Sequence, residues 1–314
     1  MASRSDALTR YAHALRQHRA VLDRILDRRS ALQLKRYYDK TQDDLERAMA
    51  RMAKDTRNDP LTPLQAQQLL AVVYKAQADL ARKLHSQFIP ISEEAQEEGV
   101  RETDRTITLL EAELGDGDLS LPLLEPTIMA GLVERRRAYL DRANATSFRQ
   151  YGVRLNQAAQ QRMAVSLAVG ESSTEAIDSL RQTFDGEWWQ GERIIVTEMA
   201  KAYNLAHSDS IALVGQELRD LKKRWTELVD DVTGMPMDSR VGKDSLVLHG
   251  QVTSMDGIFV MPPDPSVHRS FWNQTYECSP NRPNDRSVTM PWRPGWKVPG
   301  WIWQNGQRVD LPNE

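Results

Sequence analysis

Seven side chains in the second half of this 314-residue chain could act as acids, bases, nucleophiles or metal ligands: Glu198, His207, Asp231, His249, Asp256, His268 and Cys278. Their spacing forms no His-Glu-x-x-His, no Gly-x-Ser-x-Gly, no phosphate-binding Gly-x-x-x-x-Gly-Lys loop and no paired Cys-x-x-Cys, so metalloprotease, hydrolase and P-loop chemistry have no local support. His249 and Asp256 could share a metal or a proton relay if the fold brought them together. The simpler reading of His249 is a partly buried histidine bonded to a local carboxylate or carbonyl. Glu198, inside "VTEMAKAYN", reads as an anchor between a helix and its neighbour rather than as a base.

Cys278 is the single cysteine, which excludes an intrachain disulfide or a cysteine-rich zinc site and suits a reducing compartment. Apolar residues make up 40%, enough for a real core. The N-terminal stretch has no apolar signal region, and no window approaches the roughly 18 apolar residues that span a bilayer, so a soluble protein without a secretion address is expected. The net charge of -3 exerts no general pull toward nucleic acid. Locally, residues 133–163 carry seven arginines against Glu134 and Asp141. Arg135, Arg136, Arg137, Arg142 and Arg149 are the candidate contacts to DNA phosphates; a solvated helix face is the competing reading.

The elements that must position these groups differ between the halves. All eight tryptophans lie at or after Trp188, and ten of fifteen prolines at or after Pro236. From residue 5 to about 114 only Gly99 interrupts a run of strong helix formers, and "RNDPLTP" and "FIPISEE" divide it into four expected helices. Leu69, Leu70, Val73, Ala76, Gln77, Leu80 and Leu84 form an inward stripe at helical spacing. A Gly/Asp/Pro hinge at 114–126 leads into the Arg-rich helix. Ser172 or Ser173 with Glu175 caps a short helix expected to end before Gly186, and 187–218 gives a longer one. Beyond Leu218 the pattern turns to β: an alternating strand from Leu221 to Val229, a short strand at "IFVMPPD", and a hairpin at "WIWQNGQRVDL" turning on Asn305 and Gly306. The expected class is α+β: a long, mainly helical N-terminal half and a smaller mixed C-terminal domain with a Pro/Trp-rich knuckle and a terminal β-hairpin. The expected regions are 1–120 (helical), 121–170 (Arg-rich connector) and 171–314 (α+β).

The order of the second-half residues resembles the Mu F-like head morphogenesis family of phage minor head, or minor capsid, proteins. "VTEMAKAYNLA" (196–206), "KRWTELVDD" (223–231), His249, "MDG" (255–257) and a Pro-rich knuckle follow that family's sequence, over roughly residues 170 to 290. Thr197, Glu198, Tyr203 and Asn204 stand at the helix positions, with Val196 in place of the family's arginine. Trp225, Asp231, His249, Asp256 and Gly257 match the later positions. In the knuckle "SPNRPNDRS" (279–287), Pro280, Pro283, Asn284 and Arg286 hold, while Arg282, Asp285 and Ser287 replace a histidine and two cysteines. Backbone-shaping residues stay and potential metal ligands go, so the expectation is a geometric knuckle with no cofactor. Trp272, Trp292, Trp296 and Trp301 are expected to pack beneath it in place of a metal clip.

The resemblance implies a non-enzymatic minor head protein associated with the portal and procapsid, acting in head assembly and contacting packaged DNA. Implied partners are the portal protein, a scaffold or major capsid protein, and double-stranded DNA bound without sequence preference, with no membrane. The implied location is the virion, at the capsid interior or portal vertex, and the host cytoplasm during assembly. The alternative is a metal-dependent nuclease, drawing on His249, Asp256 and His268, or an ADP-ribosyltransferase-type effector.

Overall fold

The computed structural model describes residues 4–25, 29–114, 125–218, 220–227, 229, 241–278, 287–296, 301–304 and 307–310. Five long helices come first: α1 (Arg4–Ile25), α2 (Arg29–Met52), α3 (Pro63–Leu114), α4 (Pro126–Val169) and α5 (Ser173–Val214). Short elements follow: β1 (Lys222–Thr226), α6 (Lys243–Leu248), β2 (Val252–Thr253), β3 (Phe259–Val260), β4 (Thr275–Tyr276), β5 (Val288–Trp292), β6 (Trp301–Gln304) and β7 (Gln307–Asp310). The α+β class with a long helical N-terminal part is as the sequence implied.

Local chemistry sets the helix ends. At the start of α3 the Thr62 amide donates to Gln65 Oε1 at 2.8 Å and the Gln65 amide to Thr62 Oγ1 at 3.3 Å, with Pro63 at the first helical position. Ser172 and Glu175 make the same reciprocal pair before α5, at 2.8 and 3.3 Å. Gly170 ends α4 at φ +73, and the Glu171 amide donates back to the Ser166 carbonyl at 3.0 Å, closing a Schellman turn.

Two expected breaks are absent. The region to residue 114 holds three α-helices rather than four, because α3 runs through Pro90. A mid-helix proline costs about 3 kcal/mol, but Leu84, Phe88, Ile91 and Ala95 are buried on both sides of it, and their apolar burial outweighs one lost amide bond. Likewise α5 is one helix through Gly186, with Phe184 and Trp188 buried on either side. The stripe on α3 is as expected, with Leu69, Val73, Gln77, Leu80 and Leu84 buried and Lys75, Asp79 and Lys83 exposed.

Contacts divide the chain into two units, each containing parts of α3, α4 and α5. The second unit, 27–91 with 139–196, is helical. In its core the Tyr38 hydroxyl donates to the Phe184 carbonyl at 2.6 Å, Tyr38 lies 5.0 Å from the Trp188 ring, and Phe88 meets Phe148 edge-on at 5.5 Å.

The first unit, 1–26 with 92–138 and 197–314, combines helical segments with the strands. A three-stranded antiparallel sheet has the order β2-β1-β5, with Trp225 opposite Thr289 and Lys223 opposite Pro291. As an edge strand, β5 tolerates that proline. The strands β3 and β4 form one ribbon and β6 and β7 another, the hairpin expected at the C-terminal end; its Asn305–Gly306 turn lies outside the described residues. Alternating exposure along β1 was the expectation, yet Lys223, Arg224, Trp225 and Thr226 are all buried. On one face Trp225 joins Val247, Leu248, Phe259, Met261 and Val267, and Lys223 Nζ sits over the Phe259 ring. Arg224 instead lies over the Tyr11 ring of α1. A strand covered on both sides cannot show a polar face.

Within this unit α3 and α5 approach closely at one point. A Cβ on Gly99 would lie 2.4 Å from the Tyr203 carbonyl oxygen and 3.2 Å from the His207 nitrogen, both backbone atoms. Gly99→Ala is therefore expected to destabilise by about 2 kcal/mol or more, as overpacking against rigid backbone does. By contrast, a Cβ on Gly186 meets nothing within 4 Å, and Gly186→Ala is expected to stabilise by about 0.5 to 1 kcal/mol. Urea unfolding midpoints of the two variants check both signs.

Candidate functional site

The close approach of α3 and α5 sets the stage for the residues read from sequence. Tyr203 is fully buried, and its hydroxyl lies 3.3 and 3.4 Å from the two ring nitrogens of His18 on α1. His207 Nδ1 is 2.6 Å from Thr103 Oγ1, whose hydroxyl is 2.9 Å from the Gly99 carbonyl. A chain in which the imidazole Nδ1–H donates to Thr103 and Thr103 donates to Gly99 gives each of these two donors an acceptor. The rings of His18 and His207 stand 4.4 Å apart. Glu102, also buried, places Oε1 4.0 Å from His18 Nδ1 and accepts from Thr106 at 3.3 Å.

Burial decides the protonation states here. It pushes His207 down to about 4 and His18 well below the usual histidine range, where His207 and Arg19 add repulsion. The same desolvation raises the Glu102 carboxyl and the Tyr203 hydroxyl. At neutral pH both histidines are therefore uncharged. Glu198, one turn earlier, is buried with Lys201 Nζ at 3.8 Å, while Thr197 is half-buried and the Asn204 amide donates to the Ala200 carbonyl at 2.9 Å.

A second group surrounds β1. Trp225 Nε1 donates to Glu227 Oε1 at 2.9 Å, and the Glu227 amide donates to His249 Nδ1 at 2.9 Å. With Nδ1 accepting, the neutral imidazole carries its proton on Nε2. All three side chains are buried; His249 is more deeply buried than the sequence suggested, and its Nδ1 meets a backbone amide rather than the expected carboxylate or carbonyl. Asp256 is exposed on the turn from Ser254 to Gly257, where the Gly257 amide donates to the Ser254 carbonyl at 3.0 Å. A Cβ on Gly257 would come within 2.0 Å of Thr253 Oγ1, so the Asp-Gly pair is there for the turn. His268 is exposed and bonded locally to Ser270. The chain does not gather His249, Asp256 and His268: among the described residues no group of three or more histidine, cysteine, aspartate or glutamate side chains forms a metal-binding cluster. Cys278 is buried, and its thiol is pushed up to about 12 by that burial, which keeps it a thiol. Asp231, Pro283, Asn284 and Arg286 lie outside the described residues.

The arginines of α4 fall into two kinds. The Arg136 fork is held by Asp209 through two bonds of 2.9 Å and by Glu277 at 3.1 Å, and Arg137 is bound by Glu93 and Glu134. Arg135, Arg142 and Arg149 are exposed and make no ion pair among the described residues. The tryptophans also divide. Trp296 is buried and donates through Nε1 to Glu111 Oε1 at 2.8 Å, an oxygen shared with Arg293 at 2.9 Å. Trp292 on β5 lies under Lys222, and Trp272 Nε1 turns toward the Asp264 carbonyl at 3.2 Å. Each of these three has its own anchor; the Trp301 side chain and the knuckle at 279–286 lie outside the described residues.

Sequence reasoning missed His18, Glu102, Thr103 and Glu111. The available signal was Gly99, a lone glycine in a helical run, which marks a close backbone approach. Among the described residues no helix is long and apolar enough to cross a membrane.

His249→Ala removes the acceptor of the buried Glu227 amide and is expected to destabilise by about 2 to 4 kcal/mol, whereas Asp256→Ala at the exposed turn is expected to stay within about 0.5 kcal/mol. Calorimetric melting of the two variants separates a structural histidine from a dispensable one.

No protein-family model, curated protein or solved structure matches the chain.

Proposed function

We propose that the chain is a structural protein of phage head assembly, of the Mu F-like minor head kind that the order of its second-half residues resembles, binding a portal ring and procapsid proteins without turning over a substrate. The observation that carries this reading is the use made of Glu198, Tyr203, Asn204, Trp225 and His249. All five are buried; Tyr203 meets His18 of α1, Trp225 and His249 are joined through Glu227, and Glu198 and Asn204 are bonded within α5. Residues used that way specify a rigid body, and a rigid body suits docking on a large partner. The nuclease alternative needs His249, Asp256 and His268 together at a metal; His249 is buried, and among the described residues these three form no metal-binding group, which favours the docking reading.

Arg135 in the first unit, and Arg142 and Arg149 in the second, are exposed and each supplies a sequence-independent contact to the phosphates of packaged DNA. Arg136 belongs to the fold instead, since replacing it would strand Asp209, which is only 6% exposed.

The central test is co-purification of the tagged chain with a portal ring from the same phage; a ring recovered without the chain, with both proteins folded, refutes the assignment. For DNA, changing Arg135, Arg142 and Arg149 together to Ala is expected to weaken duplex binding and to reduce the slope of log affinity against log salt by roughly 2 to 3. Arg136→Ala is expected instead to lower the melting temperature. An unchanged salt slope in the triple variant removes the DNA contact while leaving portal docking to stand or fall separately.

A further inference from the structure

We propose that α1 is an acid-released element: the buried rings of His18 on α1 and His207 on α5 lie tilted against each other at 4.4 Å in the first unit, and proton uptake by the pair detaches α1 from α3 and α5. The geometry leaves a charged histidine badly placed. The two rings are 4.4 Å apart and neither is exposed to water. His18 faces Arg19 on α1, Glu102 on α3, and Tyr203 and His207 on α5, while Tyr203 in turn feels Glu98, Glu102 and Arg105 of α3 and Arg24 of α1. Beside His207 lie Thr103 and the Gly99 carbonyl on α3 and the Thr289 backbone on β5. Among the described residues Glu102 is the acidic group paired with His18, at 4.0 Å, outside hydrogen-bond reach.

The direction in pH follows from the shifts. Both histidines are depressed in the folded protein, so the released form binds protons first, near the ordinary value of about 6.5. Attachment is undiminished above that value and weakens as pH falls from there to about 4, where folded His207 itself titrates. Glu102 is raised, so its protonation favours the attached form as pH falls and offsets part of the loss. It also removes the one negative charge that could have paired with His18. Two bases against one carboxyl leave a net acid sensitivity.

This sensitivity bears on α1 in particular because His18 sits at the middle of its buried stripe, with Tyr11, Leu15 and Leu22. Other described ties of α1 are the Tyr11 hydroxyl to the Pro291 carbonyl at 3.2 Å, Arg224 over the Tyr11 ring, and the solvent-facing pair of Arg24 with Glu98 at 3.5 Å. None of these gains strength in acid. Release would uncover Tyr203, His207 and Glu102, the groups that His18 meets.

The test is amide hydrogen exchange on the full chain at about pH 7.5 and about pH 4.5, corrected for intrinsic rates. Each histidine multiplies the opening equilibrium by up to roughly 100-fold over that interval, so α1 protection is expected to fall at least about 100-fold while α2 stays within about 3-fold. The double variant His18→Gln with His207→Gln is expected to keep α1 protected at both pH values. Unchanged α1 protection in the parent, equal loss in the double variant, or simultaneous loss in α1 and α2 overturns the proposal. Should the double variant fail to hold α1 at neutral pH, histidine Cε1 resonances of the parent decide. Both titrating below about pH 5 together with α1 release supports the device, and either titrating near about 6.5 with α1 still protected refutes it.

Discussion

The first unit depends on one steric fact: at Gly99 the backbones of α3 and α5 come so close that no side chain fits between them. Proximity of that kind brings polar backbone atoms into the interior, where each needs a partner. The Gly99 carbonyl finds Thr103, Thr103 finds His207, and the His207 ring lies tilted against that of His18. A bulkier residue would push the helices apart, and that chain would break where it crosses from Thr103 on α3 to His207 on α5. The polar interior is thus a consequence of the approach rather than an independent feature.

The strands inherit the same dependence. Glu111, three turns beyond Gly99 on α3, receives both Trp296 Nε1 and Arg293, and Pro291 of β5 accepts from Tyr11 of α1. A three-stranded sheet with two-residue β2 offers little area of its own, and strands this short are marginal alone. Its edge strand is secured by helices that lie far away in sequence. Two buried cations on β1 are handled similarly, Lys223 by the Glu277 carbonyl at 2.8 Å and the Phe259 ring, Arg224 by the ring of Tyr11. Burying a charge is costly unless its donors are met, and each of these contacts reduces the cost while fixing one register.

What could be read in the sequence follows the range of the forces involved. Helix-forming runs, the Ser172–Glu175 cap and the apolar stripe from Leu69 to Leu84 are local patterns, and each appears where it was expected. Pro90 and Gly186 are local breakers overruled by apolar burial on both flanks. Among the candidate functional residues, a structural role for His249 was legible, though its partner, the Glu227 amide 22 residues away, was not, and the turn at Asp256 and Gly257 was not read at all. The partners of Tyr203 and His207 were not, since His18 and Thr103 lie about 185 and 104 residues away. Nothing in a periodicity declares which distant helix will be met. The arginines of α4 show the same limit: composition marked five alike, and only tertiary contacts separate Arg136, clamped by Asp209, from exposed Arg149.

A core built this way has a particular cost. Apolar contacts would hold α1, α3 and α5 with less dependence on conditions, because dispersion and burial hardly respond to protons. Imidazoles at the centre of the contact make attachment sensitive to pH, yet they also reject wrong registers, since a shift of one helix leaves a buried ring nitrogen or carboxylate unmatched. For a protein whose proposed work is docking rather than turnover, a single well-defined surface counts for more than the last increment of stability. The buried histidines and Glu102 then restrict the alternatives open to α1 at neutral pH, while their lowered and raised protonation ranges set the conditions under which that restriction lapses.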